Sequence, residues 1–252
     1  MVSLIPLTNF PLVAPGDALD EQIVAAAGTI GLQDGDVVVL AQKIVSKSEG
    51  RYVDLRTISP SAEAERLAGS VRKDPRLVEV ILSESREVMR TVPGTIIVRH
   101  RLGFVLANAG IDQSNLPRGE DTAAEEVLLL PADPDGSAAK LRDRLQRRIG
   151  VRLAVLIIDS IGRAWRNGTC GTTIGAAGIE TLRDLRGQPD LFGRRLETSE
   201  LGFADEIAAA ASLMMGQAAE GRPVVIVRGL DWSESPQSAA NLVRPVESDL
   251  FR

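Results

Sequence analysis

Runs of consecutive apolar residues, separated by amphipathic stretches and by Gly, Pro and Asp turns, organise this chain. Residues 2–5 predict a short first strand. Residues 37–41 follow the turn Asp34-Gly35-Asp36 without a polar interruption, so they predict a buried strand. Residues 153–158 predict the strongest strand of the chain, and 224–228 a final buried one. Residues 95–98 and 104–107 flank Arg101-Leu102-Gly103 and predict a hairpin. A polar stretch separates the second arm from a further apolar run at 127–131.

Helical periodicity is expected over about 18–27, with Gly16-Asp17 as the cap. Ser59-Pro60-Ser61-Ala62-Glu63 reads as a helix start, with Pro and an acid in the first turn. Residues 75–89 predict a second helix in this region, with Leu77, Val80, Ile81 and Val88 on one face. Asp133-Pro134-Asp135-Gly136-Ser137 predicts a turn and an N-cap for a helix over 138–148. Arg147, Arg148 and Gly150 suit its C-terminal end. An Ala-rich helix is expected over 206–219, ending near Gly221. Residues 42–51, 162–178 and 183–196 read as loops, as does the tail after Gly229. A hairpin combined with strand–helix alternation predicts a mixed α/β (α+β) fold rather than a regular doubly wound parallel sheet.

Composition narrows the chemistry more than the fold. At 252 residues the chain forms one large domain or two small ones, with no repeat, low-complexity segment or clear linker. A net charge of −5 argues against a nucleic-acid footprint but allows a local basic pocket for a small anion. No apolar run approaches the roughly 20 residues of a membrane span, and the N-terminus has no basic and apolar leader, so a cytoplasmic location is expected. With Cys170 and His100 the sole residues of their types, an internal disulfide is impossible and a Cys/His zinc site nearly so. His100 lies in Val98-Arg99-His100-Arg101, which alternates like an exposed strand, and reads as a surface residue. Cys170 reads as a packing residue of a Gly/Thr-rich loop. The chemistry then rests on carboxylates, Lys, Arg, hydroxyls and metal.

Two segments stand out. Asn108-Ala109-Gly110-Ile111-Asp112-Gln113-Ser114-Asn115 and Asp159-Ser160-Ile161-Gly162-Arg163-Ala164-Trp165-Arg166 each follow an apolar run and supply an acid at its end. Two such carboxylates, with Gly turns and Arg beside them, suit hard cations that hold phosphate. Either Asp alone reads as a turn or cap residue. Ser160 adds an oxygen beside Asp159, and the following arginines can hold phosphate. Lys43, Lys47 and Arg51, in the loop after the strand at 37–41, form either a phosphate or carboxylate clamp or a solvated basic turn. No Walker loop is present. The Gly-rich run 171–178 allows backbone to approach a ligand or simply to pack tightly. Asp205 and Glu206 suit the first turn of their helix. Met214 and Met215 read as core, and Gln217 as a ligand or a helix-end polar residue.

These runs, taken in order, resemble the coenzyme F420-0 gamma-glutamyl ligase family. The match is carried by residues 44–51, 108–115, 133–137, 159–166, Ala204-Asp205-Glu206-Ile207-Ala208 and Val227-Arg228-Gly229, and covers nearly the whole chain. The resemblance implies mixed parallel and antiparallel sheets with flanking helices, in two interwoven subdomains. One ligase module is expected over 1–252, with no C-terminal reductase-like domain, as a homodimer. It implies a GTP-dependent ligase that adds L-glutamate to coenzyme F420-0 or its dehydro precursor. Mg²⁺ or Mn²⁺ is implied, two ions per site, with K⁺ as a further candidate ion. Carried over by position, Asp112, Asp159, Ser160 and Gln217 ligate metal, and Asp112, Asp159 and Lys47 are catalytic. Thr8, Asn9, Phe10, Pro11, Gln42, Lys43, Lys47, Asn115, Met215, Gly216, Gln217 and Gly221 touch the nucleotide. Ser160 stands where Thr is usual, Gln217 where related chains also use an acid, and residues 7–12 match the family's Gly-Leu-Pro form in part. The rival readings are a metal-dependent phosphatase or kinase for another small anion, and a GTP-binding regulator without turnover.

Overall fold

The computed structural model describes residues 1–116 and 125–249. In chain order the elements are β1 (Ser3–Pro6), α1 (Leu19–Ala27), β2 (Asp36–Ala41), α2 (Gln42–Ser48), β3 (Tyr52–Asp54), α3 (Ala62–Val71), α4 (Pro75–Ser83), β4 (Ser85–Val92), β5 (Thr95–His100), β6 (Val105–Ala107) and β7 (Glu126–Leu128). There follow α5 (Pro134–Ile149), β8 (Leu153–Arg163), β9 (Arg166–Ala177), β10 (Arg183–Asp184), β11 (Glu200–Leu201), α6 (Phe203–Met215) and β12 (Val224–Arg228). The polar stretch expected before residue 127 and the end of the module at 252 fall partly outside the described residues.

The fold is mixed α/β. Its main sheet has the order β1-β12-β2-β8-β9, with β2 and β8 parallel and the other pairs antiparallel. Alternate residues of the apolar runs point to opposite faces, and both faces are covered. Val38, Leu40, Val155, Ile157 and Ile226 pack under α1, α2 and α5. Val37, Val39, Ala154, Leu156 and Val225 pack under α6. A separate core joins α3, α4 and β5 through Leu67, Val71, Val78, Ile81, Ile96 and Val98. Beside it lie the sheet β4-β5-β6 and the pair β3-β7.

Several helix ends follow the sequence. Ser61 caps α3 through the Ala64 N–H, and Asp133 caps α5 through the Gly136 N–H. Gly150 closes α5 in the left-handed conformation. Helix α5 begins before the expected residue 138, because Pro134 occupies its first position and lacks the N–H that would go unsatisfied there. Asp17 does not cap α1. Its carboxylate accepts from the Ala14 N–H and the Gln22 amide instead.

Further expectations are corrected. Residues 42–48 form a helix, not a loop. The helix expected over 75–89 ends at Ser83, and Val88 belongs to β4, which pairs with β5. Most of the supposed loop 162–178 is the long strand β9. It lacks the β-branched signature because Gly171 lies against the Ala208 carbonyl and Ser212, and Gly175 against Pro134, where no side chain fits. Cys170 therefore sits in a strand, opposite Ile161. His100 is 1% exposed rather than on the surface. Its Nδ1 accepts from the Leu102 N–H, and its Nε2 lies 3.5 Å from Glu84. Glu84 also meets Arg51 and Arg101, at 3.3 and 3.1 Å, and these cations and His100 hold its carboxyl below the usual range against the upward pull of burial. Arg51 donates as well to the Leu130 carbonyl, so it ties the chain after α2 to residue 130 and, through Glu84, to the end of α4.

Candidate active site

Strands β1, β2 and β8 run in one direction and β12 and β9 in the other, so three carboxyl ends and two amino ends share an edge of the sheet. Ligands of α/β sheets gather at such an edge. Residues 8–11 leave β1 there, α2 leaves β2, and Asp159 follows Ile158, which lies opposite Ala41, the last residue of β2. Residues 216–222 lead into β12 at the same edge.

Asp112 arrives from the second core. A tight turn at Asn108, Ala109 and Gly110 has φ of 50°, 54° and 67°. Asn108 holds it by accepting from the Ile96 N–H at 3.1 Å, and a Cβ on Gly110 would collide with Leu106 and Leu130. Left-handed backbone at Ala109 persists because these contacts over-determine it. Asp112 then exchanges both backbone hydrogen bonds with Leu128, each 2.9 Å, and its side chain reaches α2.

There its two oxygens are served separately. The Gln42 amide donates to Oδ2 at 2.6 Å, and Lys43 Nζ lies 3.2 Å from Oδ1. Gln42 is itself fixed by the buried Ser46 hydroxyl, which donates to its Oε1 at 2.9 Å. Lys43 also reaches the Ser114 hydroxyl at 3.1 Å, and Lys47 the Asn115 carbonyl at 2.6 Å. The Asn115 amide in turn donates to the Ala218 carbonyl at 3.3 Å, linking this cluster to the loop before β12. Gln42, Lys43 and Lys47 are thus brought together with Asp112. Ser46 and Ser114 were missed in the sequence, although Ser46 lies four residues after Gln42, the spacing of one helix face.

Asp159 has less support. Its carboxylate accepts from the Ser160 N–H at 2.8 Å. Burial and the negative charge of Asp112 raise its pKa to about 6. Burial also raises the Asp112 carboxyl, against Lys43 and Gln42, which lower it. Burial and the neighbouring Lys43 lower the Lys47 ammonium, against Asp112. The two carboxylates therefore repel across a partly buried gap with lysines on one side.

A pH dependence follows. Asp159 is protonated in both folded and unfolded protein below about pH 4, and ionised in both above about pH 6, where its burial is a full penalty. Stability of the cation-free protein is expected to fall as pH rises through this window. Urea unfolding in chelator at pH 4.5 and 7 checks the sign; equal or greater stability at pH 7 after subtraction of an Asp159→Asn control contradicts it.

Ser160 points the other way. Strand alternation puts it on the α6 side, opposite Gly171, which lies against Ser212. The Gln217 amide donates to that Ser212 hydroxyl at 3.2 Å. Oxygen donors thus lie on both faces of β8. The bulge that opposes Ile157 and Ile158 with Gly175 and Thr173 leaves Ile174 extra, increasing the local twist. Asp205, in the first turn of α6, accepts from the Thr173 N–H at 2.9 Å, and burial raises its carboxyl. No group of three or more His, Cys, Asp or Glu side chains suited to a metal exists among the described residues. Two carboxylates with amide and hydroxyl oxygens nearby still fit a hard cation such as Mg²⁺, which keeps water and substrate phosphate in its shell.

The remaining nucleotide candidates are placed as follows. Thr8, Asn9 and Pro11 are exposed, and Phe10 is partly buried on the main core. Met215 is core. Gly216 and Gly221 have φ of 76° and 66° and bracket a loop in which the Glu220 carboxylate accepts from the Ala218 N–H at 2.8 Å. The backbone amide of Ala218, with those of Glu220 and Gln217, holds that carboxyl below its ordinary range. A cavity of about 670 Å³ beside Asp135, Arg142 and Gln237 lies toward the other end of β9. The Asp135 carboxylate there is occupied by the Ala176 and Ala239 N–H groups, so the reactive constellation is elsewhere. Among the described residues, no helix is long and apolar enough to cross a membrane.

Residues 8–229 match the family described as F420-0:Gamma-glutamyl ligase. The coenzyme F420:L-glutamate ligase of Methanothermobacter thermautotrophicus is 47% identical over 255 residues, covering 100% of this chain and 99% of that one. Enzymes of the same name from Methanopyrus kandleri and Methanocaldococcus jannaschii are 45% and 43% identical. These cover 95% and 88% of this chain, and 93% and 86% of their own.

Proposed function

The chain belongs to the F420-0:gamma-glutamyl ligase family, and on that premise we propose that it adds L-glutamate to coenzyme F420-0, or to its dehydro form, using GTP. The observation that carries the chemistry is the repelling pair Asp112 and Asp159 with Lys43 and Lys47 beside it. Such a pair is suited to cation and phosphate and offers no protein nucleophile. Activation by phosphoryl transfer needs none.

In this reading the acceptor carboxylate attacks the γ-phosphorus of GTP, the bond to the bridging oxygen breaks, and GDP leaves. The glutamate amine then attacks the acyl phosphate carbonyl, loses its proton, and expels phosphate. Asp112 and Asp159 would hold Mg²⁺ or Mn²⁺, with Ser160 and Gln217 as donors for a second ion on the α6 face. When bound, the metal neutralises phosphate charge. Lys43 and Lys47 would add positive charge beside the phosphates, Gln42 keeps Asp112 aimed at the gap, and the Ala218 amide now held by Glu220 would be a donor to phosphate. The protein would work in the cytoplasm as a homodimer.

The test is mass spectrometry after incubation with GTP, Mg²⁺ or Mn²⁺, L-glutamate and F420-0. A product heavier by one or more glutamyl units, absent without GTP, is expected. GTP loss that ignores glutamate and leaves F420-0 unchanged would sink the ligase reading and favour a phosphatase. Lys47→Ala is expected to weaken GTP binding by roughly 1.5–3 kcal/mol, the worth of a charge-assisted hydrogen bond. Calorimetry gives the dissociation constant directly; an unchanged value limits Lys47 to its bond with the Asn115 carbonyl.

A further inference from the structure

The β8–β9 hairpin carries a tip that packing does not explain. Trp165 is 86% exposed. It occupies the second central position of the turn between Arg163 and Arg166, with φ of 62°. Gly or Asn is the ordinary residue there, and a bulky side chain strains the backbone. Within one subunit the indole packs on nothing, so neither the fold of the subunit nor local conformation accounts for it.

The flanking charges are equally uneconomic for folding. Arg163 and Arg166 are directly opposed across the hairpin. Like charges in that register repel. Arg163 donates to the Gly168 carbonyl at 3.2 Å, and neither arginine is paired with a carboxylate among the described residues. Alternation places Arg163 on the face of β8 that also carries Asp159 and Ile161, and direct pairing gives Arg166 the same face. Arg163 lies four steps along the strand from Asp159, about 13 Å at roughly 3.3 Å per step.

We infer that this tip is the subsite for the ring end of the acceptor. Trp165 stacks on a planar heteroaromatic, and Arg163 with Arg166 holds an anionic group on the tether that carries the reacting carboxylate back to Asp159. The inference rests on the ligase reading, and it gives the acceptor a class: a planar anionic heteroaromatic whose carboxylate lies at the far end of a chain on the order of 13 Å long. Stacking and a pair of guanidinium groups would select that class over a simple carboxylic acid.

The experiment combines F420-0 titration, followed by tryptophan fluorescence, with steady-state kinetics. Trp232, the other tryptophan, is buried with its N–H on the Gly35 carbonyl, so an exposed response belongs to Trp165. F420-0 is expected to quench the wild-type protein and to leave Trp165→Gly nearly unquenched. That variant should raise KM for F420-0 about tenfold or more. KM for GTP and glutamate should stay within about twofold. Its melting temperature should rise by about 2–4 °C as backbone strain is relieved. Arg163→Gln with Arg166→Gln should also raise KM for F420-0 and weaken its dependence on ionic strength. An unchanged F420-0 KM in Trp165→Gly, a rise that falls on GTP instead, or conversion of a dimer into monomers by this variant would each overturn the inference. The fluorescence titration needs no turnover. Quenching through Trp165 without glutamylation would uphold the subsite while defeating the ligase reading; glutamylation with KM indifferent to Trp165 would do the reverse.

Discussion

Asp159→Asn is expected to abolish glutamyl transfer while making the cation-free protein more stable at neutral pH. The wild-type carboxylate is pushed up to about 6 by burial and by Asp112, so at pH 7.5 the fold holds a charge that the unfolded chain would hold more easily. Replacing it with an amide of the same shape removes that repulsion. A shift of this size corresponds to about 1–3 kcal/mol, or a melting temperature higher by roughly 5 °C. The same change removes the charge that would bind cation, and turnover should fall by at least about 10³-fold. The stability gain should vanish near pH 4, where wild-type Asp159 is protonated. Thermal melts in chelator at both pH values, with product formation by mass spectrometry, separate the effects. Full turnover at ordinary Mg²⁺ would remove Asp159 from the active site. A variant less stable than wild type at pH 7.5 would contradict the account of its raised carboxyl.

The largest effect on folding is expected from Arg228→Ala, away from the chemistry. Asp36 is 0% exposed at the start of β2. Arg228, at the end of the neighbouring β12, grips it with two bonds, Nε to Oδ1 at 2.8 Å and a terminal guanidinium nitrogen to Oδ2 at 2.7 Å. The same nitrogen reaches the Gly31 carbonyl at 2.8 Å, and Asp36 also accepts from the Gln33 N–H at 2.8 Å. The pair holds the Arg228 guanidinium still more firmly protonated than usual. Truncating the arginine leaves a carboxylate buried without its countercharge, which costs about 3–5 kcal/mol. The melting temperature should drop by roughly 10 °C or more. Urea unfolding at pH 7 measures the loss, and Asp36→Asn added to Arg228→Ala should recover part of it. A loss under about 1 kcal/mol would mean that water replaces the guanidinium without penalty.

Much of the fold is legible in local patterns. The unbroken runs in β2, β8 and β12 could be satisfied only by strands covered on both faces, and α6 covers one of those faces. Asp133, Pro134 and Gly150 delimit α5 by their own backbone preferences. The resemblance carried by ordered motifs also led to the family that the comparisons show.

Other elements read wrongly because their reasons are not local. Helix α2 turns polar residues toward Asp112 and buries little beyond Ile44, Val45, Gln42 and Ser46, so its sequence looks like a loop. Strand β4 is largely exposed, and its spacing can be drawn on a helix until β5 supplies hydrogen-bond partners. Strand β9 is rich in Gly because backbone from α5 and α6 presses on it. His100 is buried, with its Nδ1 accepting from the Leu102 N–H and its Nε2 facing Glu84 at 3.5 Å, partners that lie outside its own strand.

The chain by itself determined which residues carry charge, which runs must be buried and where the backbone can turn. Tertiary structure decided that Asp112, delivered by the second core, stands near Asp159 at the end of a parallel strand, with α2 placing Gln42 and lysines beside the pair. Periodicity records how each segment meets a generic apolar surface. Electrostatic repulsion between two distant carboxylates arises only when packing of both cores brings them within reach across a medium poor in water.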